Sequence, residues 1–338
     1  MIRTMKRPAT ELAAYQVVQY ASTAPPVLIG DITNIGGPNM VHSKPINFDD
    51  RLAHSIELLH KAEPLALRYF DKGFYLAFSG GKDSQALYHV AKLAEVKYEA
   101  HYSLTTLDPP ELVHFIRDNY PDVIVDRPEM TFANLCVAKQ ALPTRMMRFC
   151  CAVLKETKGA NTVTLTGVRK AESVKRSKRN EAEKIGSKKA RFSGTFEQLD
   201  QFTRQKEQEG VHCVNGNDKI VINPIIDWSE ADVWYFLNEV VRVDHCVLYD
   251  RGWRRIGCLF CPMASQRETL KQGAEYPKYK DLILRTIRRL RENGYMMNQY
   301  PDLTDKEVFD WWVSKRGLKE WYYDNKVQGS LFTDEDFK

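Results

Sequence analysis

No run of eighteen apolar residues occurs anywhere in the 338-residue chain, so no helical membrane span and no membrane partner is expected. The first residues, MIRTMKRPATELAAYQVV, carry basic side chains but lack an uninterrupted apolar core followed by a small-residue cleavage site. That argues against a secretory signal and for a cytoplasmic protein. Cysteines number only seven, which in such a compartment argues against a disulfide framework. Internal repeats and low-complexity segments are absent. The nucleotide-binding pattern Gly-x-x-x-x-Gly-Lys-Ser/Thr is absent too: Asp83 follows Gly81-Lys82, and Leu76 stands where the first glycine should be. Excess charge is small, at +5 overall.

Hydrophobic residues make up 43% of the chain, enough for a sizeable core, and the length suits one large domain or one domain with appendages. Pro and Gly at TAPPVLIGD and NIGGPNM mark residues 1–45 as an irregular extension. From Phe48 the pattern is that of an amphipathic helix, with Pro64 as the candidate break. Then FYLAF, a short apolar run of the kind buried on both faces of a parallel sheet, leads straight through SGGKDS into a helical spacing, DSQALYHVAKLAEV. Further strands are expected within YEAHYSLTT, DVIVDRP, NTVTLT and KIVINP. Helices are expected at PPELVHFIRDNY and FANLCVAKQA, and after Ser229, with Asp232 three residues on. This alternation predicts a parallel α/β sheet, with ligands outside the carboxyl ends of its strands. Residues 266–338 read as a helical segment rich in basic and aromatic residues.

SGGKDS itself reads as a phosphate cradle. Two glycines let the backbone approach a ligand closely, and the loop ends at a helix N-terminus whose free N–H groups favour an anion. Lys82 adds a mobile cation, and Ser79 and Ser84 add hydroxyl donors. Gly167 follows the strand-like TVTLT, so Arg169 is also expected near a strand's carboxyl end, where its fork suits a phosphate. The cysteines cluster as Cys150-Cys151 and as Cys258-x-x-Cys261, with Gly257 and Pro262 flanking the second pair as a tight knuckle requires. Four soft thiolates suit zinc or an iron–sulfur cluster, and spacing alone leaves both open. Cys213 is a candidate substitute for Cys150. Cys136 and Cys246 are expected to pack as small hydrophobes.

Arg169 to Arg191 holds ten Lys or Arg and three Glu. Such a run is either a solvated face or a polyanion-facing segment. From Lys170 to Arg191 the composition leaves no core to hold the chain, so it is expected to be mobile, to hang over the phosphate site because it starts directly after Gly167 and Arg169, and to order against a polyanion.

Six motifs follow one another in order: SGGKDS (79–84), TTLDPPEL (105–112), RFCCAVLKE (148–156), TGVRKAESVKR (166–176), INPIIDWSEADVW (222–234) and IGCLFCPMA (256–264). Together they resemble the phosphoadenosine phosphosulfate reductase-like family of the PP-loop ATP pyrophosphatase superfamily. The pattern is similar above all to sulfurtransferases of the DNA-phosphorothioation type. The resemblance implies an adenine nucleotide alpha hydrolase-like, three-layer parallel α/β domain over residues 46–265. It implies an ATP site of Ser79, Gly80, Gly81, Lys82, Asp83, Ser84, Gly167, Arg169, Glu172, Ser173 and Arg176, with Lys82, Asp83 and Arg169 catalytic. Asp108 would contact ribose or place Mg²⁺, or else only open the turn before Pro109. The resemblance also implies a [4Fe–4S] cluster on Cys150, Cys151, Cys258 and Cys261.

The expected activity is adenylating sulfur transfer: ATP splits to AMP and pyrophosphate while an acceptor is activated. The expected acceptor is nucleic acid, DNA first, and the sulfur would come from a donor such as a cysteine desulfurase. A homo-oligomer is compatible with this. A sulfonucleotide reductase of this family needs a mobile C-terminal cysteine, and no cysteine follows Cys261. Reduction with a partner's thiol is therefore the alternative. A non-catalytic nucleotide-binding component is the second.

Overall fold

The computed structural model describes residues 42–186, 191–209 and 218–327. Seven strands form one sheet among them: β1 (Phe74–Phe78), β2 (Tyr98–Ser103), β3 (Ile124–Asp126), β4 (Val163–Leu165), β5 (Ala182–Ile185), β6 (Phe192–Gly194) and β7 (Lys219–Ile222). Their order is β3-β2-β1-β4-β7-β5-β6. The first five in that order run parallel, with Leu76 of β1 paired to Ala100 of β2 and to Leu165 of β4. The expected parallel α/β architecture is thus present. β1 is apolar, and both β1 and β4 are almost wholly buried because both faces of a parallel strand are covered.

From β1 the chain crosses to β2 on one side, and β4 then returns to the other side of β1. Strand order reverses there. The carboxyl ends of β1 and β4 therefore flank a switch point, which is where open α/β sheets bind ligands.

Helix α1 (Phe48–Tyr69) runs unbroken through Pro64, contrary to the sequence expectation. Proline costs one intrahelical hydrogen bond. Ten buried side chains along α1, Phe48 and Leu59 among them, hold the helix together across that gap. Ser55 Oγ also donates to Pro224 O at 2.7 Å and accepts from Trp228 Nε1 at 3.1 Å. Helix α2 (Lys82–Leu93) starts at the SGGKDS loop, and α3 is Pro110–Asn119. At Ser229 the expected capping box is present: its hydroxyl accepts from Asp232 N while the Asp232 carboxylate accepts from Ser229 N.

The basic run departs from expectation. Residues 182–185 are β5, hydrogen-bonded between β7 and β6. Ala182, Glu183 and Lys184 are 0%, 7% and 2% exposed. Carboxylates remote in sequence supply what the composition lacks. Lys184 pairs with Asp218 at 3.0 Å and Lys170 with Asp227 at 2.7 Å, while Arg179 reaches Glu183 inside the run itself. The expectation that no core holds this run is therefore incorrect at β5, residues 182–185. Lys188 and Lys189 lie outside the described residues.

The chain divides into two compact units that do not follow chain order. One comprises Met1–Ser103, Pro110–Asp126 and Thr157–Ile256, and contains the sheet. The other comprises Leu104–Pro109, Arg127–Glu156 and Gly257–Lys338. The second unit is helical, with Phe132–Ala138, Gln266–Glu275, Pro277–Glu292 and Asp305–Ser314 as its main helices. Its core includes Phe260, Ile283, Ile287, Phe309 and Trp312. No described helix is long and apolar enough to cross a membrane.

Candidate functional site

The SGGKDS loop is built by its own hydroxyls. Ser84 Oγ accepts from Ser79 N at 3.1 Å and donates to Gly81 O at 2.9 Å, which curls the loop back on itself. Gly80 has φ +69°, and a Cβ there would lie 2.6 Å from Leu112 Cδ1 of α3. Glycine is required twice over, for conformation and for space. Across the switch point, a Cβ on Gly167 would lie 2.7 Å from Asp83 O. The backbone after β4 thus packs directly against the first turn of α2, which brings two of the sequence motifs into contact.

Arg169 is 3% exposed. Its Nε donates to Asp83 Oδ1 at 2.7 Å, and one terminal nitrogen donates to Trp228 O at 3.3 Å. The guanidinium therefore ties the loop after β4 to α2 and to the segment before Ser229. Glu172 accepts from Arg169 N at 3.2 Å and pairs with Arg176. Ser173 Oγ accepts from Arg176 N at 3.3 Å. Burial lowers the Arg176 pKa, Glu172 counters that, and the neighbouring Arg255 adds repulsion. Two guanidiniums near each other beside Asp83 leave this mouth receptive to an anion.

Lys82 is 5% exposed. Its ammonium donates to Arg254 O at 3.3 Å and lies 3.5 Å from Glu230 and 4.0 Å from Asp83. Its backbone N–H donates to Tyr249 Oη at 2.8 Å. Tyr249 was not foreseen from the sequence. It comes from a turn more than 160 residues downstream and carries no motif.

The thiols belong to the other unit. Cys150 and Cys151 lie on the helical turn Phe149–Cys151, which widens into a π-helical turn over Ala152–Glu156. Cys150 and Cys151 are hydrogen-bonded to each other. That bond and Arg148 hold the Cys151 thiol below its ordinary range, and Cys150 is pushed up. Around the second pair, Leu259 N donates to Leu107 O at 2.7 Å and Phe260 N to Gln272 Oε1 at 2.8 Å. Phe260 takes φ 54°, which bends the chain between Cys258 and Cys261.

Asp108 sits in this unit. It accepts from Thr105 N at 2.6 Å, closing a turn, and Thr105 Oγ1 lies 3.3 Å from Cys258 Sγ. Lys155, also missed from the sequence, faces Cys258 and Asp108. Burial works against its charge, but those two neighbours raise its pKa regardless. Lys315 stands over the Trp312 ring at 5.1 Å, and burial pulls it down to about 8 despite the nearby Cys261.

Among the described residues, no group of three or more His, Cys, Asp or Glu converges closely enough to hold a metal ion. The four thiols are gathered in one unit, but their placement is not that of a closed ligand set. Cys213 lies outside the described residues. Cys136 and Cys246 are buried, as expected.

The profile of the phosphoadenosine phosphosulfate reductase domain matches residues 73–264, more than half of the chain. The chain belongs to that family. The matched span of this phosphoadenosine phosphosulfate reductase domain begins just before β1 and ends just after the Cys258–Cys261 pair, so it draws on both units. Among curated proteins the chain is similar to an uncharacterized protein of Methanocaldococcus jannaschii, 28% identical over 230 residues, covering 65% of this chain and 48% of the relative. It is also similar to a probable FAD synthase of Schizosaccharomyces pombe, 24% identical over 229 residues, covering 67% of this chain and 73% of the relative. The chain spans about half the length of the archaeal relatives it matches. A solved phosphoadenylyl-sulfate reductase from Candida auris aligns with 64% of this chain and 96% of its own, at 16% identity and a TM-score of 0.37. Within the family domain, Lys155 follows Cys151 by one helical turn. That spacing is the signal through which it could have been found.

Proposed function

We propose that the sheet-bearing unit binds ATP at Ser79–Ser84 and transfers its adenylyl group, releasing pyrophosphate, to activate an acceptor for sulfur transfer. The observation that carries this is the cradle: a glycine turn at the switch point, ending on an α-helix N-terminus, with Lys82 as its cation. Adenylyl transfer is chiefly positioning and charge neutralisation. Ser79, Gly80 and Gly81 shape the cradle. The N–H groups at the start of α2 and the Lys82 ammonium face the leaving pyrophosphate. Arg176 and Arg255 add positive potential at the mouth. Arg169 acts through Asp83, fixing the angle at which α2 meets the loop after β4.

Mg²⁺ suits this site: Asp83 keeps one oxygen clear of Arg169, and a carboxylate plus phosphate oxygens is the usual Mg²⁺ set. The ion would neutralise phosphate charge. Asp108 is engaged with Thr105 and Lys155, so its part is to shape the thiol-bearing turn.

The four thiols favour sulfur as the group transferred over flavin as the acceptor, although one relative is named a probable FAD synthase. By softness they suit a [4Fe–4S] cluster. By placement they do not close one. Nucleic acid as the acceptor is supported by the helix Pro277–Glu292, which carries six Lys or Arg against two acidic residues.

The test is pyrophosphate release from ATP by the full chain, with and without DNA. Release that DNA stimulates supports this function. Sulfite release from a sulfonucleotide would instead identify a reductase, and tight nucleotide binding without turnover a non-catalytic component.

A further inference from the structure

We infer that Tyr249 is a built-in plug of the phosphate cradle and sets its affinity. This rests on the ATP-binding assignment above and adds a residue to it. The Lys82 N–H, at the first turn of α2, is a donor that a bound phosphate would claim. It donates to Tyr249 Oη at 2.8 Å. The same stretch of chain occupies one of the ammonium's donors, because Arg254 O accepts from it at 3.3 Å. That ammonium also lies 5.6 Å from the Tyr249 ring centre. A Cβ built on Gly81 would come within 3.4 Å of the Tyr249 hydroxyl, so the phenol fills the space over the loop. Residues 249–254 thus make the contacts a ligand would make.

The plug is weak by construction. Burial raises the Tyr249 pKa, so the phenol stays neutral. A neutral oxygen is a poorer acceptor from an N–H than an anionic phosphate oxygen. Phosphate therefore displaces it, and binding must first break the bond to Lys82. The turn is moored elsewhere. Arg251 pairs with Glu111 of α3 at 2.7 Å, and within the turn a His245 ring nitrogen lies 3.0 Å from Asp250 Oδ1. The Arg251 member of that pair is exposed, which leaves the mooring able to loosen.

The test uses the full-length chain, with calorimetric titration of inorganic pyrophosphate and of Mg²⁺-ATP. Tyr249→Phe removes the competing acceptor while keeping the ring in the core. It is expected to bind both ligands about three- to ten-fold more tightly, the equivalent of one neutral hydrogen bond. Hydrogen exchange at the Lys82 amide is expected to speed up in the free variant and to slow again with pyrophosphate. Glu111→Gln, which slackens the turn without touching the cradle, should shift affinity in the same direction and serves if the first variant folds poorly. Unchanged affinity in both variants would make Tyr249 a core residue only. Weaker binding by Tyr249→Phe would make it a ligand contact. Either result overturns the plug. If the wild-type chain binds neither ligand, the ATP assignment itself fails, and that outcome is distinct from the other two.

Discussion

Replacing Arg169 by Met tests how the two halves of the switch point are held together. The guanidinium is 3% exposed, and its Asp83 partner keeps 21% of its side chain in solvent. Removing one member of a buried ion pair costs about 3–5 kcal/mol, because the survivor is left uncompensated. Asp83 can draw some water, which argues for the lower end. The Trp228 carbonyl also loses a donor, worth about 1 kcal/mol. The expected loss is therefore about 3–4 kcal/mol, and the unfolding midpoint should fall by about 6–16 °C.

Urea unfolding followed by tryptophan fluorescence provides the assay. Asp83→Asn alone strands the guanidinium and should cost at least as much. The double variant removes both charges, so its cost should fall short of the summed single costs by about 2 kcal/mol or more. Arg169→Lys should recover less than half of the loss, since one ammonium cannot span Asp83 and Trp228 O. A loss below about 1 kcal/mol for Arg169→Met, or strictly additive costs, would refute the buried tether and return Arg169 to direct phosphate binding.

Lys82→Ala should cut pyrophosphate release at least about 100-fold, the usual cost of one charge-stabilising donor, while circular dichroism stays unchanged. Wild-type turnover would dismiss the cradle. Gly167→Ala should displace the loop, since its Cβ would lie 2.7 Å from Asp83 O. Unchanged stability and ATP affinity would show that the two loops do not touch. His89 is buried, and burial pulls its pKa down to about 3. The unfolded chain therefore binds the extra proton between about pH 6.5 and pH 3, so stability should decline as pH falls through that window. His89→Gln should flatten the decline, and an equally steep acid limb would assign it to other groups.

The parallel sheet was legible because β1 is a continuous apolar run, and a strand covered on both faces leaves that mark directly in the sequence. The loops after β1 and β4 were legible for a related reason. Gly80 and Gly167 stand where any side chain would collide, and glycine beside a strand end advertises close approach. β5 was not legible. Its four residues, Ala-Glu-Lys-Ile, hold two charges, and Lys184 is buried beside Asp218, which compensates it. Charge compensation between segments more than thirty residues apart leaves no local pattern. α1 misled in the opposite way. Pro64 signals a break, yet ten buried side chains outweigh one missing hydrogen bond.

The same distinction explains the site. What the sequence exposed were residues whose chemistry is local: the glycines, Lys82 and the paired cysteines. What it hid were residues that act by reaching from elsewhere. Tyr249 lies far along the chain from Lys82, and only the sheet's return path carries it to the first turn of α2. Arg169 was visible as a cation, but its use was not. A motif displays a guanidinium and leaves open whether it faces solvent, a ligand or a carboxylate. Here the partner is Asp83, itself part of the loop motif. The motif is therefore partly satisfied from within before any ligand arrives. Substitutions at Asp83 and Arg169 should accordingly move stability and nucleotide affinity together, whereas substitutions at Tyr249 should separate them.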